Sequence, residues 1–334
     1  MHNRHTVDRR QMLFVLTASL HAPFALAGQA PTPRTPFTDA FLRAQFPTWS
    51  DADRAALLRA LAPDGGGRID AQTVEQLVPA AAGSIDALMT TLLPIAKTYS
   101  RPPISKFEAG AIARGKSGAF YAGANLEVPR SGLNQTIHAE QSAIANAFGH
   151  GETGITALAV SDAPCGHCRQ FLNELVDGEN LRLVAPQNQT WTLKDLLPSS
   201  FGPKDLQQPE AIFASKPHAL RLTTGRSGRV VASALDAAVR SYAPYSNSPS
   251  GCALETKAGT IVNGSYLENA AFNPSLAPLQ SALVSLVLHQ EAPVDITQVV
   301  LVESSGATIS HATETRMLLA VLAPRATLHV VTAI

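Results

Sequence analysis

Two short stretches of the chain hold residues whose types and spacing could do chemistry: His138-Ala139-Glu140 and Pro164-Cys165-Gly166-His167-Cys168. Each opens an apolar-periodic run, 141–148 and 169–175, so each is expected at a helix N-terminus. Pro164 suits such a start, because its missing N–H costs nothing there. Cys165 and Cys168 stand at i and i+3, which turns both thiols to one side of the first turn. A helix N-terminus favours thiolate over thiol, and thiolate is what a metal binds. One imidazole and two thiolates supply three ligands of a tetrahedral zinc ion and leave the fourth position open, the arrangement of a catalytic site. Glu140 lies two residues from a ligand and can reach that open position, to act as base and then as acid.

Three blander readings stay open on these residues alone. The C-x-x-C could be a redox pair, although such pairs lack a partnering His-x-Glu. It could hold a structural zinc, but that needs a fourth ligand. His167 is expected to point away from the cysteines, and Cys252 lies in the other half of the chain. Glu140 could simply be a solvated carboxylate favoured by the helix dipole.

The elements that must position these residues follow from composition and patterning. Of 334 residues, 45% are apolar and 16% charged, enough for a packed core of two or three domains. Lys plus Arg equals Asp plus Glu at 26 each, which opposes a nucleic-acid partner because phosphate binding calls for a basic excess. Three cysteines make no disulfide framework. No stretch reaches the ~18 apolar residues of a membrane span.

Residues 1–36 read as a leader and linker. Arg9-Arg10, an apolar run over 12–20 and Ala25-Leu26-Ala27 have the order of a twin-Arg export signal in residues 1–27, broken by His21 and Pro23; a plain extension is the other reading. Residues 37–97 are expected to form a small helical domain, with helices over 51–61 (N-cap Ser50), 71–78 (N-cap Asp70) and 85–97. From 98 to 206 strand patterns (109–114, 119–123, 157–161) alternate with helix patterns (137–148, 165–175), which predicts an α/β arrangement. Residues 229–334 repeat it. Gly123-Ala124-Asn125-Leu126-Glu127 has an echo in Gly264-Ser265-Tyr266-Leu267-Glu268, and Gln141-Ser142-Ala143 in Gln280-Ser281-Ala282. In the second copy Ala277 replaces the His and Leu279 the Glu, so only the first copy keeps polar chemistry. His289, His311 and His329 are given no role, and Arg114, Lys116 and Arg130 read as scattered solvated charges.

The H-x-E…P-C-x-x-C pattern matches the signature of zinc deaminases. The surrounding letters, Phe107–Gly115, Gly123–Glu127, His138–Ile144, Pro164–Leu175 and Phe201–Leu206, resemble the large, dimeric cytidine deaminases of enteric bacteria, from about residue 37 to the C-terminus. The resemblance implies a helical N-terminal segment and two α/β/α deaminase-like domains, the second degenerate. It implies hydrolysis of a free nucleoside, cytidine or deoxycytidine, to uridine or deoxyuridine and ammonia, in pyrimidine salvage. One zinc per chain would be held by His138, Cys165 and Cys168, with Glu140 shuttling protons. The 125–127 stretch would bind substrate, Asn125 and Glu127 at the ribose hydroxyls with Leu126 between them, and Phe107 would pack on the pyrimidine. Phe201 or Phe272 of a partner subunit in a homodimer would close the pocket. The family also implies a cytoplasmic location, against the periplasmic one that the twin-Arg reading implies.

Overall fold

The computed structural model describes residues 37–187, 189–223 and 227–334; the leader and its export-signal reading lie outside them. Four helices begin in the same way. Thr38, Ser50, Asp70 and Ser84 hold extended backbone, and each side-chain oxygen accepts the N–H three residues on. They start α1 (Asp39–Gln45), α2 (Asp51–Ala60), α3 (Ala71–Leu77) and α4 (Ile85–Thr91). The single helix expected over 85–97 is instead two. Pro94 has no N–H for the Thr90 carbonyl, so the chain breaks at Leu92 and restarts as α5 (Leu93–Thr98). Between α2 and α3 lies β1 (Arg68–Ile69), two residues that no sequence pattern marked.

The first repeat contains β2 (Gly110–Gly115), β3 (Phe120–Ala124), α6 (Ala139–Gly149), β4 (Ile155–Val160), α7 (Gly166–Leu172), β5 (Arg182–Ala185), β6 (Gln189–Thr192) and α8 (Leu193–Leu196). Its sheet runs β1-β3-β2-β4-β5-β6, with β4 and β5 parallel and the other pairs antiparallel. β1 thus joins the helical region to the first repeat's sheet by strand pairing. The second repeat contains α9 (Arg229–Arg240), β7 (Ser250–Thr256), β8 (Ile261–Ser265), α10 (Pro278–Leu288), β9 (Ile296–Ser304), α11 (Ala312–Leu322) and β10 (Thr327–Ala333). Its sheet order, β10-β9-β7-β8, matches β5-β4-β2-β3 of the first, including the parallel pair. Both central strands even shift register at corresponding points, Arg114/Gly115 and Glu255/Thr256.

Glycines set the layers. Neighbouring residues in a strand face opposite sides of the sheet, and cross-strand partners share a side. A Cβ on Gly123, paired with Ala111, would stand 2.2 Å from the Ala143 nitrogen in α6. One on Gly110 would meet Lys97 N at 2.9 Å and the Leu93 carbonyl at 3.0 Å in α5, on the opposite side. Gly264 and Gly251 repeat this against α10 and α9. Each sheet therefore lies between helices pressed onto it at glycines, the expected α/β/α layering. One continuous core runs from Leu42 and Leu57 through Phe120 and Phe171 to Leu254 and Leu286. Between the repeats the connector is tied at both ends: Ile212 bridges Leu175, and Leu222 bridges Ala333.

Candidate metal centre

His138 is the N-cap residue of α6, and Cys165 that of α7. The backbone N–H of His138 donates to Gln141 Oε1 at 3.2 Å, which fixes where α6 begins. The turn before α7 is held from behind, where Arg169 Nε donates to the Pro164 carbonyl at 2.8 Å and Arg169 also donates to the Leu196 carbonyl. The two helix starts meet. Cys165 Sγ lies 3.5 Å and Cys168 Sγ 3.3 Å from His138 Nδ1, and the sulfurs are 3.6 Å apart. Tetrahedral zinc, with bonds of about 2.3 Å to sulfur and 2.0 Å to nitrogen, sets its ligand atoms about 3.5–3.8 Å apart. The donor set and spacing fit zinc, and among the described residues this is the one cluster of His, Cys or acidic side chains that does.

The clustered side chains perturb one another strongly. Hydrogen bonds from the Cys168 thiol and then from His138 hold Cys165 as thiolate, down to about 3. Cys168, as donor to Cys165 and buried, is pushed up. Glu140, in the first turn of α6, is buried, and burial pushes its carboxyl above the usual range. It lies within hydrogen-bonding reach of Cys168, which places a carboxyl beside the ligand cluster. His167 is not among the clustered donors, but it is not remote from them. Its ring stacks on that of His138 at 5.5 Å between centroids, and burial lowers its pKa. Cys252 is buried in β7 and takes no part.

The remaining expected residues are anchored to loops around 100–107. Asn125 is buried: its Oδ1 accepts from Ser100 Oγ at 2.5 Å and Ala109 N at 2.9 Å, and its Nδ2 donates to the Phe107 carbonyl at 2.9 Å. Phe107 itself is 55% exposed, a large apolar ring left uncovered. Glu127 accepts from Ile104 N at 2.7 Å, Ser105 N at 3.0 Å and the Ser105 hydroxyl. Burial alone would raise its pKa, but the bonds from Ser105 and Ile104 outweigh that and hold it below the usual range. Leu126 is a core residue whose N–H and C=O both pair with Ile137, so it couples the 125–127 stretch to the residue before His138. Phe201 and Phe272 lie elsewhere, on exposed loops tied to α7: the Phe201 carbonyl accepts from Gln170 and Asn173, and Asn269 exchanges bonds with Gln170.

A family model described as the cytidine and deoxycytidylate deaminase zinc-binding region matches the chain twice, over residues 84–180 and 193–316. The second match covers the repeat that has Ala277 and Leu279 in place of ligand and acid. A cytidine deaminase of Photobacterium profundum is 48% identical over 237 residues, 71% of this chain and 80% of its own. One of Cronobacter sakazakii is 49% identical over 223 residues, 67% and 75% of the two chains. A crystal structure of cytidine deaminase from Mycobacterium tuberculosis is 30% identical and covers 34% of this chain and 95% of its own, with a TM-score of 0.32.

Proposed function

Because the chain belongs to the zinc-dependent cytidine deaminase family, we propose that it hydrolyses cytidine and deoxycytidine to uridine and deoxyuridine with release of ammonia. One observation carries this reading: His138, Cys165 and Cys168 converge with a buried Glu140 beside them. His138, Cys165 and Cys168 hold the metal. When bound, zinc supplies the Lewis acidity that brings the ionisation of water into the neutral range.

Glu140 does the proton work. Its carboxylate takes a proton from water and hands it to N3 of the pyrimidine as the water oxygen bonds to C4; it then takes the remaining hydroxyl proton and gives it to the 4-amino nitrogen, so that the C4–N bond breaks, ammonia leaves and C4 becomes a carbonyl. Its position suits both roles: it is buried beside the ligand cluster, where one carboxyl can accept a proton and return it. Phe107 offers an exposed face for the pyrimidine. Asn125 and Glu127 meet the ribose hydroxyls: the Asn125 amide keeps one N–H beyond its bond to Phe107, and Glu127 stays ionised as an acceptor. Leu126 spaces the two. The zero formal charge favours a free nucleoside over a base within nucleic acid.

The enzyme is a homodimer in which Phe201 or Phe272 closes the partner's pocket; both are large apolar side chains left open, at 46% and 67% exposure. It belongs to pyrimidine salvage in the cytoplasm, a placement supported by the family alone. Among the described residues no single helix is long and apolar enough to cross a membrane. The test is ammonia release from free cytidine by the zinc-loaded protein. Release that depends on zinc supports the reading, and a zinc-loaded protein inert toward cytidine and deoxycytidine overturns it.

A further inference from the structure

Glu174 has no exposed surface and no part in the chemistry above. It lies just beyond the end of α7, the helix that begins with the two thiols. Its Oε1 accepts from Tyr242 Oη at 2.6 Å and from Tyr245 Oη, and its Oε2 accepts from the Ala270 N–H at 2.8 Å. All three donors belong to the second repeat. Its own carbonyl accepts from Ile212 N in the connector, and Tyr242 reaches the neighbouring Glu210 carbonyl. No ion pair with Glu174 is found among the described residues, so neutral dipoles alone satisfy this carboxyl. A buried acid so placed is a poor source of stability compared with a packed apolar side chain, and its better-attested use is to fix one arrangement of the segments around it.

The segments it fixes lead to Phe272. The Tyr245 ring, held by its hydroxyl, rests against the Phe272 ring at 6.5 Å between centroids. Ala270 lies two residues before Phe272 in the same loop, and Asn269 is bonded to Gln170 of α7. Phe272 has φ +63, a left-handed conformation that a bulky side chain holds only where its surroundings over-determine it. From the other direction, Glu268 accepts from Tyr245 N and Ser246 N, so the 242–246 and 269–272 segments move as one piece.

We propose that Glu174 is a positioning residue for the reaction: it pins the second repeat's 242–245 and 269–272 segments to the far end of the thiol-bearing helix, and so sets Phe272 where it closes on substrate. This rests on the deaminase reading and on Phe272 as a pocket-closing side chain. Substrate closure, not zinc binding or proton transfer, is what the pin controls.

Glu174→Gln tests it in the full-length, zinc-loaded protein. The amide can still accept from the tyrosines but turns its NH2 toward the Ala270 N–H, setting donor against donor. The KM for cytidine should rise by about 10-fold or more, kcat should stay within about 3-fold, and zinc should remain at one per chain. Backbone amide exchange should quicken at residues 270–272. Tyr245→Phe, a milder change, should raise KM in the same direction, and the double variant should add little to the larger single effect. Unchanged KM and exchange with only a lower melting temperature would make Glu174 merely structural. A fall in kcat at constant KM, in either single variant, would also overturn the proposal. Should Glu174→Gln not fold, the KM and exchange of Tyr245→Phe decide on the same terms. A wild-type protein that releases no ammonia would sink the deaminase reading and with it the role in closure, while exchange at residues 270–272 would still show whether the pin exists.

Discussion

In the first repeat His138 caps α6 and Glu140 follows it into the helix; in the second, Ala277 and Leu279 hold those places, and the 304–311 loop before α11 has no cysteine. What the repeats keep is equally specific. Gln141 and Gln280 each accept the N–H of their own helix's cap residue, then donate across the interface, Gln141 to the Pro274 carbonyl and Gln280 to that of Gln135. Gly123 and Gly264 let α6 and α10 lie on their sheets. Glu127 and Glu268 clamp equivalent loops with equivalent bonds. Letters shared between the copies therefore report scaffold, and letters lost report chemistry. Glu127 is one of the shared letters: Glu268 clamps the same loop in the copy without a site, so the clamp is its scaffold role and contact with ribose is an added one.

The strongest way to break this comparison is to remove the thiols. Cys165→Ala with Cys168→Ala should take metal content from one zinc per chain to none and abolish ammonia release, as elemental analysis and a deamination assay would read. Two zinc ions per wild-type chain would instead mean that the second copy is not dead. Glu140→Gln should lower turnover by about 10²- to 10⁴-fold while zinc and cytidine affinity persist, since the lost interaction belongs to the transition state. Near-normal turnover there would hand proton transfer to another residue.

A matched pair sharpens the scaffold half. Gly123→Ala and Gly264→Ala both drive a methyl into helix backbone, at 2.2 Å and 2.1 Å from the nearest nitrogen. Each should cost about 1–3 kcal/mol in denaturant unfolding, as overpacking does. Only Gly123→Ala should also impair deamination, because α6 carries His138 and Glu140 whereas α10 carries nothing that reacts. The smallest effect concerns pH. Glu127 has its pKa lowered on folding, so its contribution to stability is present above the ordinary glutamate value of about 4.3 and is lost as pH falls through the lower folded value. Ser105→Ala should flatten that acid-side loss by under about 1 kcal/mol, read as a shallower fall of melting temperature with pH.

How far the sequence foretold this structure depended on locality. Ser50 and Asp70 could be named as caps because a cap is a matter of three residues, and the helix starts at His138 and Cys165 were legible for the same reason. Pro94 is an equally local signal, but its apolar neighbours continued the periodicity and hid the break at Leu92. Across the chain legibility failed. β1 is two residues whose identity as a strand depends wholly on β3. Helix geometry could set His167 apart from the two cysteines, but its stacking on His138, 29 residues earlier in the chain, was not legible. Glu174 reads as an ordinary glutamate late in a helix, and only Tyr242, Tyr245 and Ala270, about 70 to 100 residues on, make it a buried hub.

The turn at Gly66 and Gly67 has a consequence in time. A Cβ on Gly66 would fall 2.7 Å from the His289 ring and 3.3 Å from that of His150, and one on Gly67 would strike Leu288, so this turn is fitted against the ends of both α6 and α10. On a ribosome it is made early. His150 follows within about 85 residues, but Leu288 and His289 emerge some 220 positions later, on the order of 10 to 45 s at usual elongation rates. The N-terminal helices must therefore wait, partly unseated, until the inert copy has been synthesised. The repeat that does no chemistry completes the seat of the segment translated first, and the nascent chain cannot assume its final form one domain after another.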